Sequence, residues 1–308
     1  MGRYVARRLL QMIPVVIGTT FLIYALVWAL PGDPFAGKCG DRPCPPDYVA
    51  AMTDKFNLDE PLPMQYLAYL AGLVRGDFGE TFNGSSVADA LVRVFPTTIK
   101  LALLAIAIEV AIGITAGIVA ALRRGSFADT LVLVSTLVVI SIPVFVIGYV
   151  LQFLLGINLN LFPVTVSAEA SLFELVLPAF VLASTSLAYV ARLMRANLAE
   201  NLRADYVRTA TAKGLARRRV VGVHTVRASL IPVVTFIGAD FGVLLGGSIV
   251  VEGIFNIDGV GGLIFGSIRR YEGAMVTGAV TVLVLIFLLV NLLVDLLYAV
   301  LDPRIRYD

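Results

Sequence analysis

Apolar residues gather in six long runs, at residues 9–30, 96–122, 131–155, 175–194, 230–255 and 274–301. Each has about the 20 residues a helix needs to cross a bilayer core of about 30 Å. In hydrocarbon the backbone must satisfy its own N–H and C=O groups, so such runs are expected to be helical. The pattern therefore predicts an all-α, polytopic membrane protein with about six transmembrane helices. Two polar intervals interrupt it substantially, residues 31–95 and 195–229, and residues 158–173 form a shorter loop. The first run outlasts the apolar stretch of a signal peptide. Pro31-Gly32-Asp33-Pro34 after it lacks a small-x-small cleavage pattern, so a retained helix is expected.

Composition strengthens this reading. Hydrophobic residues make up 58% and charged residues 15% of the 308 positions, and mean hydropathy is +0.89. A soluble globular protein is excluded on that balance. A net charge of +2 gives no basis for a nucleic-acid partner. Placing both termini inside puts Arg3, Arg7, Arg8, Arg123, Arg124, nine basic residues from Arg192 to Arg227, Arg304 and Arg306 in the cytosol. That is sixteen of the twenty-four Lys and Arg. The positive-inside rule selects this orientation and makes residues 31–95 external. Within them Cys39 and Cys44 lack a neighbouring histidine and do not read as a metal site; a small disulfide hairpin fits an external loop better.

The second polar interval contains a short built element. Asp205 is suited to cap a helix and Gly214 to end it in the left-handed conformation. The helix between them would be roughly 13 Å long, with Tyr206, Val207, Ala210 and Gly214 on one face. So short a helix does not stabilise itself in water. Its small-residue face is expected to need a groove on another molecule; the competing reading is a basic helix lying on anionic lipid.

Inside the runs, Gly113 and Gly117 form one Gly-x-x-x-Gly step, and Gly238, Gly242 and Gly246 form two more. Such ridges allow close helix approach in lipid, either within one subunit or as a surface lining a pathway. Glu109 and Asp240 sit near mid-span, and Asp295 lies late in the last run. Intramembrane carboxylates are costly, so three roles are open: contact with a substrate amino group, a proton relay, or a hydrogen-bonded strut between helices. His224, the only histidine, has no metal-ligand neighbours and reads as structural. The chain contains no P-loop, nucleophile elbow or His-Glu-x-x-His motif. The glycines of residues 259–262 lack both a preceding strand and a following Lys-Ser/Thr, so they do not cradle a phosphate; Asp258-Gly259 is a turn signal. The chain is not expected to be an enzyme, and energy for any transport must come from elsewhere.

The segment 203–234 resembles the EAA loop of ABC-importer permeases, whose coupling helix docks into a cleft of the ATPase. Ala210 matches the second alanine of that pattern and Gly214 its glycine. Arg208 and Thr209 replace the Glu and first Ala, a variant associated with one permease of dipeptide and oligopeptide importers. Residues 250–263 are similar to a family pattern at Glu252, Phe255, Gly259 and Gly261, expected at the outer mouth. Pro31–Pro34 and Gly76-Asp-Phe-Gly79 resemble the extension and external loop of dipeptide-type permeases.

The resemblance implies the type I ABC importer permease fold in the plasma membrane of a prokaryote. It divides the chain into an N-terminal helix with external extension (1–95), a permease domain (96–301) with its coupling helix at 205–214, and a cytosolic tail (302–308). It also implies coupling through Asp205, Tyr206, Val207, Ala210, Gly214 and Leu215. The implied partners are a homologous second permease, cytosolic ATP-binding subunits that carry ATP and Mg, and an extracytoplasmic solute-binding protein. This chain would bind no cofactor itself. Substrate stays open among peptides, nickel chelates, glutathione and haem. Two rivals are an ion-driven secondary transporter using Glu109 and Asp240, and a membrane scaffold without a pathway.

Overall fold

The computed structural model describes residues 2–29, 35, 39 and 43–301, without side chains at 2–5, 295 and 297–301. Pro31–Pro34, the 302–308 tail and the side chain of Asp295 lie outside the described residues. Helices follow in the order α1 (Gly2–Trp28), α2 (Pro46–Phe56), α3 (Leu62–Val74), α4 (Val87–Ile108), α5 (Thr115–Leu122), α6 (Phe127–Ser141) and α7 (Val144–Leu151). They continue with α8 (Leu172–Asn201), α9 (Asp205–Ala212), α10 (Arg217–Arg219), α11 (Val226–Phe255), α12 (Val260–Arg269) and α13 (Gly273–Leu301). Three π-helical stretches join them, Glu109–Ile114, Gln152–Asn158 and Val220–Thr225. Among the described residues the only β-pairing is an isolated bridge between Glu80 and Ser86.

Among the described residues, five helical stretches are long and apolar enough to cross a membrane, and a bent pair supplies a sixth if counted as one span. That pair corrects the expected continuous helix over 131–155. α6 ends at Ser141, the chain turns by 104°, and a new helix begins at Val144. Pro143 is the cause. A proline disfavours helical ψ in the residue before it, and Ile142 is extended at ψ 127°. Large apolar residues remain exposed along the spans, as at Leu10, Leu22, Leu137, Ile231 and Leu293, as suits lipid-facing surfaces.

The chain folds into two units. One comprises Met1–Thr98 and Asp258–Leu292. Its interior is aromatic: Tyr24 stacks with Trp28, Phe21 and Tyr24 meet Tyr66 edge-on, and Phe56 meets Phe82. The phenols are satisfied rather than merely buried. Tyr66 donates to the Ile17 carbonyl at 2.9 Å, and Tyr69 to Thr281 Oγ1 at 2.9 Å. Cys39 and Cys44 are bridged, with Cα atoms 5.2 Å apart.

The other unit, Ile99–Ile257 with Leu293–Asp308, is built around α8. Ser171 and Glu174 close a reciprocal capping box at its start. Leu175, Val181 and Leu182 of α8 join Leu101, Leu244 and Phe255 in one core cluster; Val190, Met194 and Leu198 join Ala121 and Val233 in another. Close approach comes from glycine. A Cβ at Gly117 would stand 2.6 Å from the Ala191 carbonyl and 2.7 Å from Met194 Cβ. Arg195 of α8 makes a two-point contact with Asp129 at the start of α6, with Nη2 to Oδ2 at 2.9 Å, and the same Oδ2 accepts from the Gly125 N–H.

Candidate functional site

The first candidate begins where α8 ends. Residues 202–204 turn the chain into α9, which starts with Asp205 as its first helical residue. This corrects the expected cap: Ala204 is the N-cap, with no side-chain hydrogen bond. The Asp205 carboxylate still sits at the positive end of the helix and lies 3.7 Å from Arg208, an exposed pair worth little. At the other end the chemistry of Gly214 is used fully. Its φ is +77°, its N–H donates to the Thr211 carbonyl at 2.9 Å, and Leu215 N–H donates to the Ala210 carbonyl at 3.3 Å. Those two bonds are the Schellman closure.

The face anticipated for Tyr206, Val207, Ala210 and Gly214 is divided. Val207 is 8% exposed, and α9 packs on the π-helical stretch 220–225 of its own chain. Ala210 and Leu215 are half-buried, whereas Tyr206 and Gly214 are exposed. Side chains 100° apart on so short a helix cannot all point away from the chain. The outward surface instead adds Thr209 and Lys213, both exposed.

Polar side chains tie α9 to two spans. Tyr206 OH donates to Asn201 Oδ1 at 3.1 Å, Asn201 Nδ2 donates to Ser229 Oγ at 3.1 Å, and Ser229 Oγ donates to the Thr225 carbonyl at 2.8 Å. Partial burial raises the Tyr206 pKa above its ordinary value, so the phenol is a donor at neutral pH. Asn201 thus joins the end of α8, the short helix α9 and the start of α11. Sequence reasoning missed it, since Asn201 and Ser229 are 28 positions apart and no spacing rule pairs them. His224 is exposed.

Within the spans, Glu109 opens a π-helical stretch and is fully buried, with neither carboxyl oxygen hydrogen-bonded. Asp240 on α11 is 7% exposed, and its Oδ2 has no partner. Asp240 lines a cavity of about 400 Å³ between α8 and α11, also bordered by Tyr189, Phe236, Val243 and Leu244. Glycines of identical spacing have different surroundings. Gly113 and Gly117 abut the α8 backbone, Gly238 lies against Val294, Gly242 is buried, and a Cβ at Gly246 would meet nothing within 4 Å.

Residues 250–263, anticipated at the outer mouth, are closely packed within this chain. Glu252 and Phe255 are fully buried in the last turns of α11 rather than in a loop beyond it, and Gly259 and Gly261 are buried too. Asn256, with φ 50°, ends the helix, and Gln152 Nε2 reaches the Ile254 carbonyl at 3.1 Å and the Val164 carbonyl at 2.7 Å. Gly259 caps α12, whose first residue, Val260, donates its N–H to Thr98 Oγ1 at 2.8 Å. Among the described residues no cluster of three or more His, Cys, Asp or Glu could hold a metal.

Comparison with known proteins gives these features a family. The model described as "Binding-protein-dependent transport system inner membrane component" matches residues 113–307, and that for the N-terminal part of such membrane components matches residues 1–102. A di/tripeptide transport system permease of Pseudomonas aeruginosa (strain UCBPP-PA14) is 37% identical over 331 residues, covering 99% of this chain and 98% of its own. A dipeptide transport system permease of Escherichia coli (strain K12) is 36% identical, covering 100% and 99%. An oligopeptide transport system permease of Haemophilus influenzae is 34% identical over the full length of both chains. With its polytopic helical fold and family matches over nearly every residue, this chain belongs to the inner-membrane components of binding-protein-dependent transport systems, the permeases of ABC importers.

Proposed function

We propose that this chain is one of two homologous permease subunits of an ATP-driven importer of di- or oligopeptides and forms half of its translocation pathway. The observation that carries the reading is full-length similarity to relatives named for dipeptide and oligopeptide transport. The functional division is an N-terminal helix and extension over 1–95, a permease domain over 96–301 and a short tail. Both termini and α9 face the cytosol, supported by the placement of sixteen of the twenty-four Lys and Arg on that side. A solute-binding protein delivers cargo at the outer face. Cytosolic ATP-binding subunits hold ATP and Mg, and this chain binds no cofactor.

In this reading the ATPase cleft receives the exposed side of α9, with Tyr206, Thr209 and Lys213. When ATP closes the ATPases, the cleft displaces α9. The Tyr206–Asn201–Ser229 chain conveys that displacement to α8 and α11 together. ATP drives the switch only through its different affinity for the inward- and outward-open states.

Reconstitution tests the reading. Together with a second permease, the ATPase and the binding protein, the chain takes up labelled dipeptide only with hydrolysable ATP, and a proton ionophore leaves uptake unchanged. Alone it neither hydrolyses ATP nor accumulates peptide. Gradient-driven uptake by the lone chain overturns the reading in favour of an ion-driven transporter.

A further inference from the structure

Among the described residues, Asp240 is a buried carboxylate with no cation paired to it. It is 7% exposed, Oδ2 accepts no hydrogen bond, and none of the ion pairs among the described residues includes it. A carboxylate withdrawn from water is costly unless its oxygens find donors. Ser186 lines the same cavity and offers a hydroxyl there. The unpartnered oxygen belongs to a side chain lining the cavity of about 400 Å³, a volume in the range that holds small ligands. Among the described residues, no Lys, Arg or His lines that cavity. Glu109, elsewhere in the spans, is likewise fully buried with both oxygens unpartnered.

The rest of the wall narrows the class of cation. Tyr189, Phe236, Val243 and Leu244 are large and mostly apolar. They match a ligand with a hydrocarbon or aromatic body, not a bare ion. A metal ion would need more oxygen ligands than the site offers, and no metal-binding cluster occurs among the described residues. An ammonium group carries three N–H donors, which suits one free carboxylate oxygen and a neighbouring hydroxyl.

We propose that this cavity is a transient subsite for the protonated α-amino group of the transported peptide, with Asp240 as its counter-ion, Ser186 as a positioning residue, and the apolar wall receiving the first side chain. The proposal rests on the peptide-importer reading above. It adds a point of selection inside the membrane, separate from the binding protein that delivers the cargo.

The test measures equilibrium binding of labelled Ala-Phe to the complete importer in nanodiscs without the binding protein, with N-acetyl-Ala-Phe as competitor. Wild type should prefer the free amine by roughly tenfold or more, the usual effect of a charge-assisted hydrogen bond. Asp240→Asn should weaken Ala-Phe binding to the level of the acetylated peptide and leave the latter unchanged. Ser186→Ala should lose part of the preference, and Asp240→Glu should retain part. These two variants carry the test if Asp240→Asn fails to assemble. Equal weakening of both peptides would mark Asp240 as purely structural and overturn the proposal. So would undiminished amine preference in Asp240→Asn, or no preference in wild type. Uptake of Ala-Phe by the wild-type importer with ATP and binding protein is measured in parallel. Its absence overturns the peptide-importer reading itself; normal uptake with no amine preference overturns only the subsite.

Discussion

Gly214 allows the proposed coupling role of α9 to be tested through backbone chemistry alone. Its φ is +77°, and a Cβ there would meet nothing within 4 Å. A substitution therefore pays for the left-handed conformation and for no collision. That conformation costs an L-residue roughly 1–2 kcal/mol, most for β-branched side chains and least for asparagine. The chain itself illustrates the exception, since Asn57, Asn160 and Asn256 all adopt positive φ. Gly214→Val should thus shift the closed Schellman turn toward open forms by roughly tenfold, because 1.4 kcal/mol is about one decade. α9 has only eight residues, so losing its last turn removes much of the element. The assay is recovery of the ATP-binding subunit with the tagged permease, together with peptide uptake per ATP hydrolysed. Gly214→Val should lose about tenfold in one or both. Gly214→Asn should stay near wild type, and Arg218→Ala, an exposed site, should change little. If Asn harms as much as Val, positive φ is not the reason for the glycine. If Val is harmless while Arg218→Ala is severe, attraction to a lipid surface replaces docking.

Two further predictions concern packing and topology. Gly117→Ala places a methyl group 2.6 Å from the Ala191 carbonyl and should destabilise the complex by about 1–3 kcal/mol, read as a lower melting temperature in detergent; Gly246→Ala, with nothing within 4 Å, should leave it unchanged, and the reverse order would refute the packing assignment. With Cys39 and Cys44 replaced, Asn83→Cys should react with an impermeant thiol reagent in intact cells, whereas Arg218→Cys should react only after permeabilisation; labelling of Arg218→Cys in intact cells would refute the orientation.

Run lengths and local backbone chemistry were legible in the sequence. The apolar runs give the spans because a membrane helix satisfies its hydrogen bonds within one contiguous segment. Gly214 gives the end of α9 because positive φ is a property of one residue. The break at Pro143 was legible by the same rule, in the Ile142-Pro143 pair, but the surrounding apolar run concealed it. Tertiary structure decided everything that depends on what lies opposite. Val207 turns inward because the stretch 220–225 lies beneath it, and Glu252 and Phe255 are fully buried at the end of α11. Gly117 touches a backbone where Gly246 touches nothing, although both stand in the same spacing pattern. Asn201 meets Tyr206 and Ser229 only after two spans converge, and Asp240 acquires its cavity only when α8 and α11 pack side by side. Hydrogen bonding along a helix is local and recorded in the order of residues; van der Waals contact and desolvation depend on neighbours that chain order does not specify.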